Sequence, residues 1–223
     1  MQVSAACTGV RTLTAEIAIS GRAGRQKLRG RVVAGFARPA SMRLEGVAPF
    51  GPPAFILVAR GQNATLLLPR NEPRVLRGAP PEEILGALTG VALGPADLQA
   101  ILTGCVVPAP QPADARRHAN GWVSIDLSGG ATVYLQAAAQ NTWTLRAAKR
   151  EGWQIEYPAW NGNFPQTVRM QSTQPNIDVD LTASLSQIET NKDLEEAAFD
   201  VIVPRDAESI TLDELRDAGP LGQ

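Results

Sequence analysis

The sequence predicts a mainly β protein, on three observations. Short runs alternate between apolar and polar residues at a period of two. Glycine- and asparagine-rich turns separate these runs at steady spacing. Two amphipathic helices interrupt the series at residues 80–105. Short strands joined by hairpin turns point to an antiparallel barrel or sandwich of about eleven or twelve strands. The 223 residues suffice for one large domain, 1–223, with most of its apolar surface buried. No internal repeat is present.

Strand signals begin at Leu13, where Leu13, Ala15, Ile17 and Ile19 alternate with Thr14, Glu16, Ala18 and Ser20. A Gly/Arg turn over Gly21–Arg25 leads to a second run. There Leu28, Gly30, Val32, Ala34 and Phe36 alternate with Lys27, Arg29, Arg31 and Val33. Met42 and Leu44 alternate with Arg43 and Glu45. Phe55–Arg60 and Thr65–Pro69 are uniformly apolar, as strands covered on both faces would be, and Gly61-Gln62-Asn63 is a tight turn between them. After the helices come runs at Trp122–Leu127, Thr132–Gln136, Thr142–Ala147, Trp153–Tyr157, Thr167–Gln171, Ile177–Ile188 and Phe199–Val203. Val106–Ala119, with three prolines, reads as a polar connection. Thr211-Leu212-Asp213-Glu214 fits a capping box before a short helix over Leu212–Ala218.

Residues 80–105 read PPEEILGALTGVALGPADLQAILTGC. Pro80-Pro81 starts a helix, and Glu82 and Glu83 suit its positive end. Ile84, Leu85, Leu88 and Val91 recur at helical spacing, and Gly90 supplies the stop. Pro95 starts a second helix, in which Leu98, Ile101 and Leu102 share a face. Two amphipathic helices in a β protein need an apolar surface to lie on. The open mouth or concave face of the chain's own sheet provides one.

The residues argue against an enzyme. The only histidine, His118, lies in the polar stretch Arg116-Arg117-His118 and suits a solvated loop. One histidine and two distant cysteines make no metal site. No nucleophile elbow, phosphate loop or dinucleotide fingerprint is present. Asp178 and Asp180 share a strand face, which reads as a polar exterior more readily than as a catalytic pair. No cofactor is implied. The net charge of −1 gives no global attraction to nucleic acid or an anionic membrane. Locally, Arg22, Arg25, Lys27, Arg29 and Arg31 make the second strand region basic: a solvated face, or one turned to a partner or lipid headgroups. Trp122, Trp143, Trp153 and Trp160 fall in the C-terminal half, as core or as the lining of an apolar cavity. Cys7 and Cys105 are either buried thiols or, if the protein is exported, a disulfide. No apolar run is long enough to span a bilayer as a helix.

Several segments resemble the bacterial outer-membrane lipoprotein localisation family, LolB-like and more distantly LolA-like. Leu13–Gly21 resembles its opening strand. Arg43-Leu44-Glu45-Gly46-Val47-Ala48-Pro49-Phe50-Gly51 resembles a strand and loop that end in Pro-Leu-Gly, with Phe50 in place of the leucine. Glu82–Gly90 and Pro95–Gly104 resemble two lid helices. The likeness covers about residues 10–105; beyond, it extends only to strand order and character.

The resemblance implies a half-open antiparallel β-barrel of about 11 strands with short helices covering its mouth. It implies an apolar groove for acyl chains. The expected lining is Ile17, Ile19, Val32, Phe36, Met42, Leu44 and Leu57, capped by Leu85, Leu88, Leu98 and Ile101. Pro49, Phe50 and Gly51 would form a membrane-insertion loop. A Cys7–Cys105 disulfide would tie the N-terminal segment to the lid. Each methylene withdrawn from water contributes about 0.8 kcal/mol, so a dry groove holds acyl chains without polar chemistry.

The expected function is a monomeric, periplasm-facing domain that accepts acylated lipoproteins, from a LolA-like periplasmic carrier, and delivers them to the outer-membrane surface. A lipid anchor upstream of Met1 is expected to hold it at the periplasmic side of that membrane; Cys7 itself lacks the apolar upstream segment that lipidation requires. The alternatives are a carrier of free phospholipid or glycolipid, and a structural envelope lipoprotein with a filled groove.

Overall fold

The structure, a computed structural model, describes residues 8–70, 72–105, 111–138, 142–150, 152–175 and 177–218. Six strands come first: β1 (Thr12–Ala23), β2 (Gln26–Ala37), β3 (Ser41–Val47), β4 (Phe55–Arg60), β5 (Asn63–Leu68) and β6 (Arg74–Arg77). The helices α1 (Pro81–Thr89) and α2 (Pro95–Leu102) follow. The second half holds β7 (Pro112–Arg117), β8 (Trp122–Leu127), β9 (Thr132–Ala137), β10 (Trp143–Arg150), β11 (Trp153–Asn161), β12 (Phe164–Ser172) and β13 (Val179–Thr190). It ends with β14 (Glu208–Ser209) and α3 (Leu212–Asp217).

All fourteen strands form one sheet, in the order β14-β6-β5-β4-β3-β2-β1-β13-β12-β11-β10-β9-β8-β7. Every pairing is antiparallel except β14 with β6. The sheet is not closed, and it has more strands than the expected barrel. The long strands β1 and β13 join the two wings, with Ile17 opposite Leu185 and Ala23 opposite Val179. One continuous apolar cluster takes residues from both wings, so the sheet bends around it. The inward row of β1 is Leu13, Ala15 and Ile17, and that of β2 is Leu28, Val32, Ala34 and Phe36, as the alternation requires.

Local chemistry explains the helices. Pro81 and Pro95 occupy first-turn positions, where a missing N–H leaves no hydrogen bond unmade. Gly90 ends α1 in the left-handed conformation at φ 78°, its N–H donating to the Gly86 carbonyl. Its α-carbon faces Ala23 and Val179 so closely that a β-carbon would come within 2.9 Å of the Ala23 side chain. This seats the end of α1 on the β1–β13 junction. Helix α2 packs against both β3 and β12 and so bridges the wings. Asp97 on α2 pairs with Arg150 on β10 at 2.7 Å. Arg216 on α3 pairs with Glu83 on α1 at 3.0 Å, and the capping box at Thr211 and Glu214 forms.

Three stretches depart from the sequence reading. The connection over 106–119 contains the edge strand β7, all six residues of which are exposed. Phe199–Val203 is no strand. A 3-10 turn at Glu196–Phe199 places the buried Phe199 over the outer face of β3 and β4. Arg43 donates to the carbonyls of Ala198 and Asp200, fixing this cover, which explains why Val58 is buried on the outer side. Finally, β6 and β14 are additional strands.

Candidate functional site

The site lies at one end of the sheet. The β1–β2 hairpin, the β3–β4 loop, the end of β5 and the start of β13 converge there by strand direction. A cleft of about 440 Å³ opens between the inner faces of β1 to β3, the start of β4 and the last turn of α1. Ile19, Leu28, Val32, Phe55 and Leu88 form its apolar wall, and Arg29, Arg31 and Arg70 also line it. Gly30 forms part of its floor. It sits on the inward row of β2 opposite Ile19, yet a β-carbon there would meet nothing within 4 Å. The sheet is therefore uncovered at this point. Phe55 takes its place because its cross-strand partner is Gly46, whose missing side chain leaves room for the ring; a β-carbon on Gly46 would lie 2.5 Å from it.

Beside the cleft, the β3–β4 loop carries Pro49, Phe50, Gly51, Pro52 and Pro53. Phe50 is 87% exposed at its tip, a costly position for an aromatic ring facing water alone. The prolines restrict the backbone, and Gly51 turns it at φ 78°. Arg70, just after β5, donates from Nη2 to the Phe50 carbonyl oxygen at 2.9 Å.

Of the expected groove residues, Ile19, Val32 and Leu88 border this cleft. Ile17, Phe36, Met42, Leu44, Leu57, Leu85 and Ile101 are buried in the core cluster, and Leu98 packs half-buried against it; none of these borders the cleft. Sequence reading missed Leu28, Gly30 and Phe55 as wall and floor. The available signal was the glycine at an inward strand position, which marks a close backbone approach or an open site. No tryptophan lines the cleft. Trp153 is buried, and Trp160 is half-buried, donating from Nε1 to the Leu145 carbonyl at 3.1 Å.

The remaining candidates resolve into structural roles. His118 meets the Ser124 hydroxyl at 2.8 Å. Asp180 is bound by Arg169 through two hydrogen bonds, of 2.9 and 2.8 Å, and by Gln171 at 3.2 Å. Arg169 holds the carboxyl of Asp180 below its ordinary range. Asp178 pairs with Arg22 at 3.2 Å. Tyr157 is buried, and desolvation raises its hydroxyl well above the ordinary tyrosine value. Among the described residues no group of acidic, histidine and cysteine side chains is arranged to hold a metal. Cys105 is buried at the end of α2, and no described cysteine is free. Cys7 lies outside the described residues.

Several solved structures share the architecture of this sheet and its short helices. A LolA superfamily protein from Nitrosomonas europaea superposes with a TM-score of 0.55 at 12% identity, covering 86% of this chain and 91% of that one. A DUF1329 family protein from Desulfovibrio piger gives 0.56 at 10%, covering 89% and 95%. A putative outer membrane lipoprotein-sorting protein domain from Vibrio parahaemolyticus gives 0.50 at 11%, covering 89% and 94%. At such identities the likeness establishes the fold, and nothing in it singles out the LolB branch. No family model matches the sequence, and no curated protein is similar to it.

Proposed function

We propose that this chain is a lipid- or lipoprotein-binding carrier domain that holds acyl chain in the cleft beneath α1. The observation that carries the reading is the uncovered Gly30 on the inward face of β2, ringed by Ile19, Leu28, Val32, Phe55 and Leu88. An apolar cleft of this size falls in the range that binds small ligands. Its walls offer hydrocarbon contact, with Arg29, Arg31 and Arg70 also in the lining, which supports a binding role for an acyl chain attached to a polar head. The fold likeness to a lipoprotein-sorting domain supports acylated protein as the cargo, with Phe50 meeting the membrane during transfer. On this reading the domain works at the periplasmic side of the outer membrane and receives cargo from a LolA-like carrier.

Gly30→Trp tests the cleft directly. Its backbone accepts a side chain and a β-carbon there meets nothing within 4 Å, so the indole is directed into the cleft. The variant should fold normally and bind a fluorescent fatty acid at least tenfold more weakly. Undiminished binding by a folded variant overturns this placement.

A further inference from the structure

We infer that the outer face of β1, β2 and β3 docks on the anionic headgroups of a phospholipid bilayer, bringing the cleft mouth down beside it. The inference rests on the acyl-binding reading of that cleft for its purpose, and on the register, exposure and charge of the outer strand face for its geometry.

Odd-numbered residues of β2 point outward, opposite to Leu28 and Val32. Register places Arg29 opposite Ser20, and Arg31 between Ala18 on β1 and Val47 on β3. Lys27 continues the row, and Arg25 tops the hairpin. Arg25, Lys27, Arg29 and Arg31 are all exposed, and none enters an ion pair among the described residues. The neighbouring acids are largely engaged elsewhere: Asp178 by Arg22, Asp180 by Arg169 and Glu45 by Arg43. Glu16 stands one row away, opposite Val33. A protein of net charge −1 thus concentrates four unpaired cations on one strip.

Two further features fit a bilayer. Ala18, Ser20 and Ser184 are small, so a depression of about 660 Å³ opens between them, Arg29, Arg31 and Val47; it shares Ile19, Gly30, Ala48 and Pro49 with the cleft and so runs into the cleft mouth. That is room for headgroups at the arginines. Exposed apolar residues adjoin the cations. Val33 is 45% and Val47 50% exposed, and Val47 leads directly into the loop of Phe50. Cations beside a protruding aromatic suit an anionic interface, where each basic residue and the inserted ring add affinity. A solvated strand face would need neither the apolar neighbours nor the depression.

The test is flotation of the full chain with phosphatidylcholine vesicles, with and without phosphatidylglycerol. The wild type should bind the anionic vesicles at least tenfold more tightly, and less so as salt rises. Each neutralised cation should weaken that binding about fivefold, so Arg29→Gln with Arg31→Gln should lose roughly 25-fold. Arg25→Gln with Lys27→Gln is an independent second pair and decides the matter should the first not fold. Equal binding of both vesicle types, or wild-type binding by a folded double variant, overturns the inference. A fatty-acid titration without vesicles separates the two readings. If that titration shows no binding while vesicle binding remains charge-dependent, the cleft reading alone fails.

Discussion

The guanidinium of Arg70 holds the backbone of Phe50 rather than its ring: Nη2 donates to the Phe50 carbonyl at 2.9 Å while the side chain stays exposed. The loop is thereby anchored from the end of β5, and its tip is presented outward.

Phe50→Glu should leave stability within about 0.5 kcal/mol of the wild type, because the ring has little to lose. It should weaken liposome association by about tenfold or more, the worth of an aromatic side chain withdrawn from water. A drop of several degrees in melting temperature with normal liposome binding would show instead that the ring packs on the core.

Arg70→Ala should also be nearly neutral in thermal unfolding. Its effect belongs to the loop, which loses an anchor but keeps its prolines. Vesicle affinity should fall only a few-fold, less than for Phe50→Glu. A larger loss than Phe50→Glu would place the membrane contact on Arg70 itself.

Gly104→Ala tests how α2 is seated. Gly104 has φ 69°, and a β-carbon there would lie 2.5 Å from Trp160 Cη2. Left-handed backbone plus the collision should cost about 2 kcal/mol or more. For a domain of this size that is a fall of about 4–8 °C in melting temperature. An unchanged melt would mean that α2 does not rest on Trp160.

Acid should weaken the β12–β13 pairing. Hydrogen bonding by Arg169 lowers the pKa of Asp180, so its contribution is complete above the unfolded value, near 4, and is lost as pH falls through the folded value. Asp180→Asn should melt below the wild type at neutral pH and converge with it in acid. Parallel curves of melting temperature against pH would remove Asp180 from the account.

The proposed Cys7–Cys105 disulfide should make the intact, unreduced protein two hydrogens lighter than its sequence mass. Closing a loop of about a hundred residues stabilises by roughly 4–5 kcal/mol in the chain-entropy model. Two alkylatable thiols in protein from an oxidising compartment would rule the bond out.

The helices were legible because Pro81, Gly90 and Pro95 punctuate them chemically. The long strands were legible because alternate residues of β1 and β2 face the core, most of them buried. The cleft was not, because alternation tells which face a residue is on and not how deep it lies. Leu44 and Val32 follow the same pattern and are equally buried, yet Val32 borders the cleft and Leu44 does not. At four and two residues, β6 and β14 are too short to show a period. Phe199 and Val201 misled for a different reason: they cover the outside of the sheet rather than extend it.

An unclosed sheet must end somewhere, and here its termini are guarded differently. The short β14 lies along β6. At the other end β7 has no further partner among the described residues, but it carries Asp114, Arg116 and Arg117, all exposed, and begins at Pro112. Charge and proline on a terminal strand discourage another chain from adding to it. A domain with an accessible apolar cleft thus denies neighbouring molecules the easiest route to polymerisation, and loss of those charges should appear first as turbidity rather than as unfolding.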